Sequence, residues 1–280
     1  MIQKDLLIDG QFWSYYSNKA DNKSLGSDKP LIVLLHPSST DGRIMNEQLD
    51  YFANDDFHAI APNLTLSRNK NNKETIDYLI QKIEEIPFFD ELPITEFLEL
   101  YSLQALSEQT QTIVESELNN NSKAIFIGVS LGGYVACQIK LDNEKNETFS
   151  YGIQQSSLSD KEKKDWILGS LSSYIHLNNS SKKQESAEHF LQRRRHYFGN
   201  PVLVGNSWNH YFEYMKKSIL DDTQLFGLSH IALHVAISHY QGNANFANSD
   251  LFKDVKLPHI PVIGEYGKEF YKLIKTISSN

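Results

Sequence analysis

Gly128-Val129-Ser130-Leu131-Gly132 is the stretch of this sequence whose residue types and spacing point most directly to a reaction. A serine flanked at this spacing by glycines suits a strand–turn–helix that lifts one hydroxyl out of a sheet. The glycines keep neighbouring Cβ atoms out of the bend. The apolar run Ala124-Ile125-Phe126-Ile127 precedes it, and an apolar-periodic stretch over 133–139 follows, so both flanking elements are legible. Such a serine attacks an ester-like carbonyl, and the N–H groups at the helix start face the oxyanion that develops. The same glycines would serve the fold if the serine were inert, so the motif must be read against its neighbours.

The elements that position Ser130 come earlier in the chain. Residues 5–10 and 11–17 read as a hairpin with Asp9-Gly10 as its turn. Leu31-Ile32-Val33-Leu34-Leu35 is a continuous apolar run of the kind buried on both faces of a parallel sheet. It ends at His36-Pro37-Ser38-Ser39. A helix is expected over 43–53, a short strand over 57–62 and a helix over 74–85. Tyr101-Ser102-Leu103 opens the helix before the Ser130 strand. Further strands are expected over 149–154, 231–237 and 260–263.

In this order the elements resemble the α/β-hydrolase fold superfamily. The resemblance implies an α/β fold: a mostly parallel central sheet flanked by helices, with a helical cap inserted after the sixth strand. The core is then 1–157 with 226–280, carrying an insertion at 65–100, and the cap is 158–225. Phe88, Phe89, Leu92 and Phe97 of the insertion either shield the pocket mouth or pack against the body. The aromatic side chains of 158–225, among them Trp208, suggest a pocket for an apolar or aromatic small molecule, or an ordinary helix-on-sheet core.

For the site, the resemblance implies Ser130 as nucleophile and the N–H groups of Ser38 and Leu131 as oxyanion donors. His36, Ser39 and Trp208 lie beside the substrate. Pro37 replaces the family's usual glycine but removes neither donor. The family also orders its triad as serine, acid, histidine, and here this chain departs from the pattern. The exit of the last expected strand reads Val262-Ile263-Gly264-Glu265-Tyr266-Gly267-Lys268, with Lys268 where the histidine should stand. The strand expected to end at Ile237 is followed by Ser238-His239-Tyr240-Gln241-Gly242-Asn243, which puts Gln241 or Asn243 in the acid's place. The displaced candidates are His239 or Lys268 as base and Asp160 as acid. Each has a bland alternative: a strand cap, an exposed helix lysine and a helix N-cap.

Three functions follow from this pattern. The first is ester or thioester hydrolysis by Ser130 with a non-standard base. The second is a non-hydrolytic reaction on the same fold, as a lyase, cyclase or cofactor-free oxygenase. The third is a ligand-binding pseudoenzyme. Composition narrows the partners. At 280 residues and 40% hydrophobic content, one large domain has an ample core. A net charge of −8 disfavours nucleic acid and anionic membrane. No apolar run approaches the roughly 20 residues of a membrane span, and the single Cys137 excludes an intrachain disulfide. The expectation is a cytoplasmic enzyme that uses a small-molecule substrate and no cofactor or metal, with homodimerisation left open.

Overall fold

Asp9 and Gly10 are the first residues whose backbone fixes the architecture. Both have positive φ, 48° and 79°, the left-handed pair that a two-residue hairpin turn demands. They join β1 (Ile2–Ile8) to β2 (Gln11–Ser17) with Ile8 opposite Gln11. In this computed structural model, the structure describes residues 1–20, 29–38, 40–67, 69–84, 99–118, 123–142, 147–151, 185, 187–188, 191 and 205–241. Of 140–142, 147–151, 205–211 and 233–241 it describes the backbone alone.

After the hairpin come β3 (Leu31–Leu35), a 3-10 turn (Gly42–Met45), α1 (Asn46–Asn54), β4 (Ala59–Leu66) and α2 (Lys73–Glu84). Next are α3 (Leu103–Glu117), β5 (Ala124–Val129), α4 (Leu131–Asp142) and β6 (Glu147–Tyr151). Two helices close the described chain, α5 (Gly205–Asp221) and α6 (Thr223–Gln241). The strands form one sheet in the order β1-β2-β4-β3-β5-β6. The hairpin joins antiparallel through β2, and β4, β3, β5 and β6 run parallel.

The apolar run of β3 explains the layering. All five of its residues are buried, and alternate side chains enter opposite cores. Leu31, Val33 and Leu35 meet Phe126, Leu106, Val114 and Val135 on the side of α3 and α4. Ile32 and Leu34 meet Ile125, Leu49 and Phe52 on the side of α1. Ser102 caps α3, its hydroxyl accepting from Ala105 N–H at 3.1 Å, as the sequence leads one to expect.

The expected strand over 231–237 is not a strand. Those residues lie inside α6, a 19-residue helix. An apolar run looks the same whether it fills a buried strand or a helix buried on most sides, and length decides between them. Leu228, Ile231 and Ala232 bury against the α3–α4 layer. The expected boundary at 225/226 therefore falls within a helix. β4 likewise continues to Leu66, which pairs with Trp13, so the sheet reaches into the expected insertion. Phe88, Phe89, Leu92 and Phe97 lie outside the described residues. A third, separate apolar cluster joins Ala187 and Leu191 to Phe212, Met215 and Ile219 of α5 and to Phe226 of α6.

A polar knot holds the hairpin to the body. Glu117, the last residue of α3, accepts from Tyr15 Oη at 2.6 Å and from Lys4 Nζ at 2.8 Å. His58 Nε2 stands 3.2 Å from its other oxygen. Burial alone would raise the Glu117 pKa, but hydrogen bonds from His58, Lys4 and Tyr15 outweigh it and hold the carboxyl below the usual range. Removing one partner of a buried charge cluster costs roughly 3 kcal/mol, so Glu117→Ala should lose about that much in urea unfolding at pH 7. The folded carboxyl ionises at lower pH than the unfolded one. Its contribution is thus complete above an ordinary glutamate pKa of about 4.3 and is lost as pH falls through the lower folded value. The gap between wild type and variant should close on acidification; a gap independent of pH would contradict this account.

Candidate active site

The site begins where β5 ends. Ser130 has φ 53°, a left-handed conformation that costs a non-glycine residue about 1–2 kcal/mol. The flanking glycines make the bend sterically feasible. A Cβ on Gly128 would lie 2.1 Å from the Gly132 carbonyl oxygen, and one on Gly132 would lie 2.2 Å from the Leu35 carbonyl oxygen. The turn is thus pressed against the end of β3. Gly132 N–H donates to His36 O at 3.1 Å and Tyr134 N–H to Ser130 O at 3.2 Å. Ser130 itself is half-buried, at the C-terminal end of the parallel strand β5, which lies between β3 and β6.

The loop after β3 is held as tightly. Leu64 N–H donates to His36 Nε2 at 2.9 Å. An amide can only donate here, so Nε2 is the acceptor and the ring proton sits on Nδ1. Nδ1 then donates to Pro37 O at 2.8 Å. Thr40 Oγ1 donates to the same carbonyl at 2.7 Å. Burial pushes the His36 pKa down, which suits a neutral ring in one fixed tautomer. No cis peptide bond occurs among the described residues. In a trans peptide, C=O and N–H lie in one plane and point in opposite directions. Two hydrogen bonds on Pro37 O therefore fix the direction of Ser38 N–H.

A mixed sheet in this strand order, with a strained serine between β5 and the helix that follows it, is a pattern that can be compared with solved structures. A carboxylesterase structure from the ammonia-oxidizing thaumarchaeon Nitrososphaera gargenis is similar at 13% identity, covering 99% of this chain and 98% of that one, with a TM-score of 0.58. A hydrolase from Pseudomonas aeruginosa PA01 is similar at 14% identity, covering 98% and 96%, with a TM-score of 0.54. The bottromycin epimerase BotH is similar at 12% identity, covering 86% and 74%, with a TM-score of 0.50.

The chain has the α/β-hydrolase fold. No family model and no curated protein matches its sequence.

Within the α/β-hydrolase fold, the expected site residues divide into three groups. Ser130, Leu131 and the loop of His36 and Ser38 come together, linked through Gly132 and Leu35. His36, however, is completely buried with both ring nitrogens engaged. It holds the loop in place and has no surface to offer a substrate. The second group rests on the lost strand. His239 and Gln241 lie in the last turn of α6 and not beyond a strand end, so the frame that put Gln241 in the acid's position does not hold. The third group, Ser39, Asp160, Asn243 and Lys268, lies outside the described residues, as does the side chain of Trp208. Phe212 and Met215, which the sequence leaves open between pocket and helix core, are buried in the third apolar cluster.

Sequence reading missed a polar group beside this loop. Asp41 receives Arg43 Nη2 at 2.7 Å and Nε at 3.0 Å, together with the Tyr214 hydroxyl of α5. Burial would raise the Asp41 pKa, but Arg43 and Tyr214 outweigh it and hold the carboxyl below its usual value. Burial and the facing Asp41 charge push the Tyr214 phenol up. Asp41 and Arg43 border a cavity of ≈ 250 Å³ that also touches Tyr16, Thr40, Asn63 and Asp221. Its lining is mixed polar and apolar, and Ser130 is not among its lining residues. Asp41 before a helical turn is a readable capping signal; its partnership with Tyr214, 173 positions away, leaves no local trace.

The strain at Ser130 can be measured. Ser130→Gly should be more stable than Ser130→Ala by about 1 kcal/mol in urea unfolding, because only glycine adopts this φ freely. Equal stabilities would mean that Ser130 is not held in the left-handed conformation.

Proposed function

We propose that the chain is a hydrolytic enzyme of the α/β-hydrolase fold, with Ser130 as nucleophile toward an ester or thioester of a small molecule. The observation that carries this reading is the positive φ of Ser130 where the parallel strand β5 passes into α4. Strain held by glycine contacts on both sides serves packing poorly and serves the presentation of one hydroxyl well. The turn is then a nucleophile elbow. Ser130 Oγ attacks the carbonyl carbon, and the carbonyl oxygen becomes an oxyanion accepting from Leu131 N–H and Ser38 N–H. Loss of the alcohol or thiol leaves an acyl-serine that water hydrolyses. The hydroxyl proton passes to a base as the attack proceeds.

The base and acid are sought downstream. With 231–237 inside a helix, Ile260-Pro261-Val262-Ile263 is the last strand-like run of the sequence, and Glu265 follows it closely. A carboxylate there fits the family's order of serine followed by acid. We therefore add Glu265 to Asp160 as an acid, and keep His239 and Lys268 as bases. The helices of 158–225 form the cap in this reading, and the separate apolar cluster of Ala187, Leu191 and α5 supports it. The likeness to the epimerase BotH supports the second reading, a reaction that moves a proton without hydrolysis on the same fold.

A fluorophosphonate probe followed by intact mass separates the two. The hydrolase reading expects one adduct, absent in Ser130→Ala and formed in wild type with a rate that rises with pH as the base deprotonates. His239→Ala and Lys268→Ala should slow it unequally and so show which base acts, and Asp160→Asn and Glu265→Gln should do the same for the acid. Thr40→Val, which removes one hydrogen bond from Pro37 O, should slow it roughly tenfold or more. No adduct on Ser130 after prolonged exposure would contradict the reading.

A further inference from the structure

Helix α5 reaches the loop of Ser38 through charge, and the contact is one residue from the hydrogen bonds that orient the Pro37–Ser38 peptide. Asp41 is satisfied locally by three donors of Arg43: the backbone N–H at 2.9 Å, Nε at 3.0 Å and Nη2 at 2.7 Å. The Tyr214 hydroxyl adds a long-range bond to the same carboxylate. The Arg43 guanidinium carbon also lies 5.6 Å from the Tyr214 ring centroid, and Arg43 Nη1 is 3.8 Å from Asp221 Oδ2 at the end of α5. Tyr214 thus grips both members of an ion pair, with its hydroxyl on one and its ring face on the other.

The loop is pinned elsewhere to the sheet. His36 is tied to Leu64 and Gly132, and Gly42 N–H donates to Asn63 Oδ1 at 2.6 Å. Between these pins, Thr40 holds the Pro37 carbonyl and Asp41 holds α5. The placement of α5 does not rest on the Tyr214 bond alone: Phe212, Met215 and Ile219 pack with Phe226 of α6, and α6 is buried on the body through Leu228, Ile231 and Ala232. Removing one hydroxyl should therefore release the loop and leave the helix in place.

We propose that Tyr214 and Asp41 are positioning residues: they transmit the placement of helix α5 to the Pro37–Ser38 peptide and so aim the Ser38 N–H at the oxyanion. The inference rests on the Ser130 reading above and deepens it. It makes the helical insert a determinant of turnover, because a substrate that shifts α5 also shifts the oxyanion donor. Coupling here runs through contiguous hydrogen bonds, Tyr214 to Asp41 and then, one residue along the chain, Thr40 to Pro37.

The test compares wild type, Tyr214→Phe and Lys216→Ala. The last breaks a different polar contact of α5, Lys216 to Glu188, and serves as the control. Two readouts are taken: amide hydrogen exchange of residues 36–44, and the fluorophosphonate reaction resolved into probe affinity and limiting rate. Tyr214→Phe should raise exchange across 36–44 severalfold and leave exchange across β1 and β2 unchanged. It should cut the limiting rate roughly tenfold or more with probe affinity and melting temperature unchanged, and Lys216→Ala should change none of these. Unchanged exchange across 36–44 in Tyr214→Phe overturns the inference, whatever the rate does. Raised exchange with an unchanged rate overturns it as well, as does an equal effect in Lys216→Ala. If wild type forms no adduct while exchange responds as expected, the Ser130 reading has failed, and the catalytic part of the inference falls with it.

Discussion

The contact of Gly132 with the end of β3 is the constraint on which the rest of the site depends. With no side chain, Gly132 sits against the Leu35 carbonyl and donates to the His36 carbonyl. Any Cβ at that position would have to displace backbone atoms. One close approach therefore joins the turn that carries the Ser130 hydroxyl to the loop after β3, to which the proposed function assigns an oxyanion donor. The sheet order places β3 beside β5, and the glycine allows the two ends to close. The left-handed backbone of Ser130 is the conformational cost of that closure, and it sits where exposure of one hydroxyl has a use.

A second layer of order surrounds this contact and is polar. His36 is often the residue one would reach for as a base, yet its ring is spent on Leu64 and Pro37. Its neutrality is a structural requirement, because protonation of Nε2 would set two donors against each other at Leu64. Thr40 and Asp41 continue the same logic outward, from the peptide plane to the carboxylate and then to Tyr214. At the far side of the hairpin, the Glu117 knot works differently. It anchors β1 and β2 to α3 and touches none of the site residues. Buried charge in this molecule thus serves two separate purposes, one holding an edge and one aiming a loop.

How much of this could be read beforehand follows from the range of the interactions. The Asp9-Gly10 turn, the β3 run, the Ser102 cap and the Ser130 motif are local patterns, and each was legible because its physics acts over a few residues. Helix α6 is not legible over 231–237 because a short stretch that is apolar at all but His234 carries no clear period. With that strand went the argument from Gln241, since a frame for the triad is only as good as the strand that anchors it. The Asp41–Tyr214 bond and the Glu117 knot join residues more than 100 positions apart, and nothing in their local sequence marks the partnership. The apolar pocket was inferred from aromatic content alone, and Phe212 shows the limit of that argument by packing into a helical core.

The central claim is that Ser130 is presented to a substrate between two aimed backbone donors. Its most direct test is a crystal structure of the protein after reaction with a fluorophosphonate, in which the phosphoryl oxygen stands in for the oxyanion. The account predicts a covalent bond to Ser130 Oγ, with that oxygen about 2.7–3.1 Å from both Ser38 N and Leu131 N. An adduct whose phosphoryl oxygen points away from these two amides, or a Pro37–Ser38 peptide turned so that its N–H faces elsewhere, would contradict it.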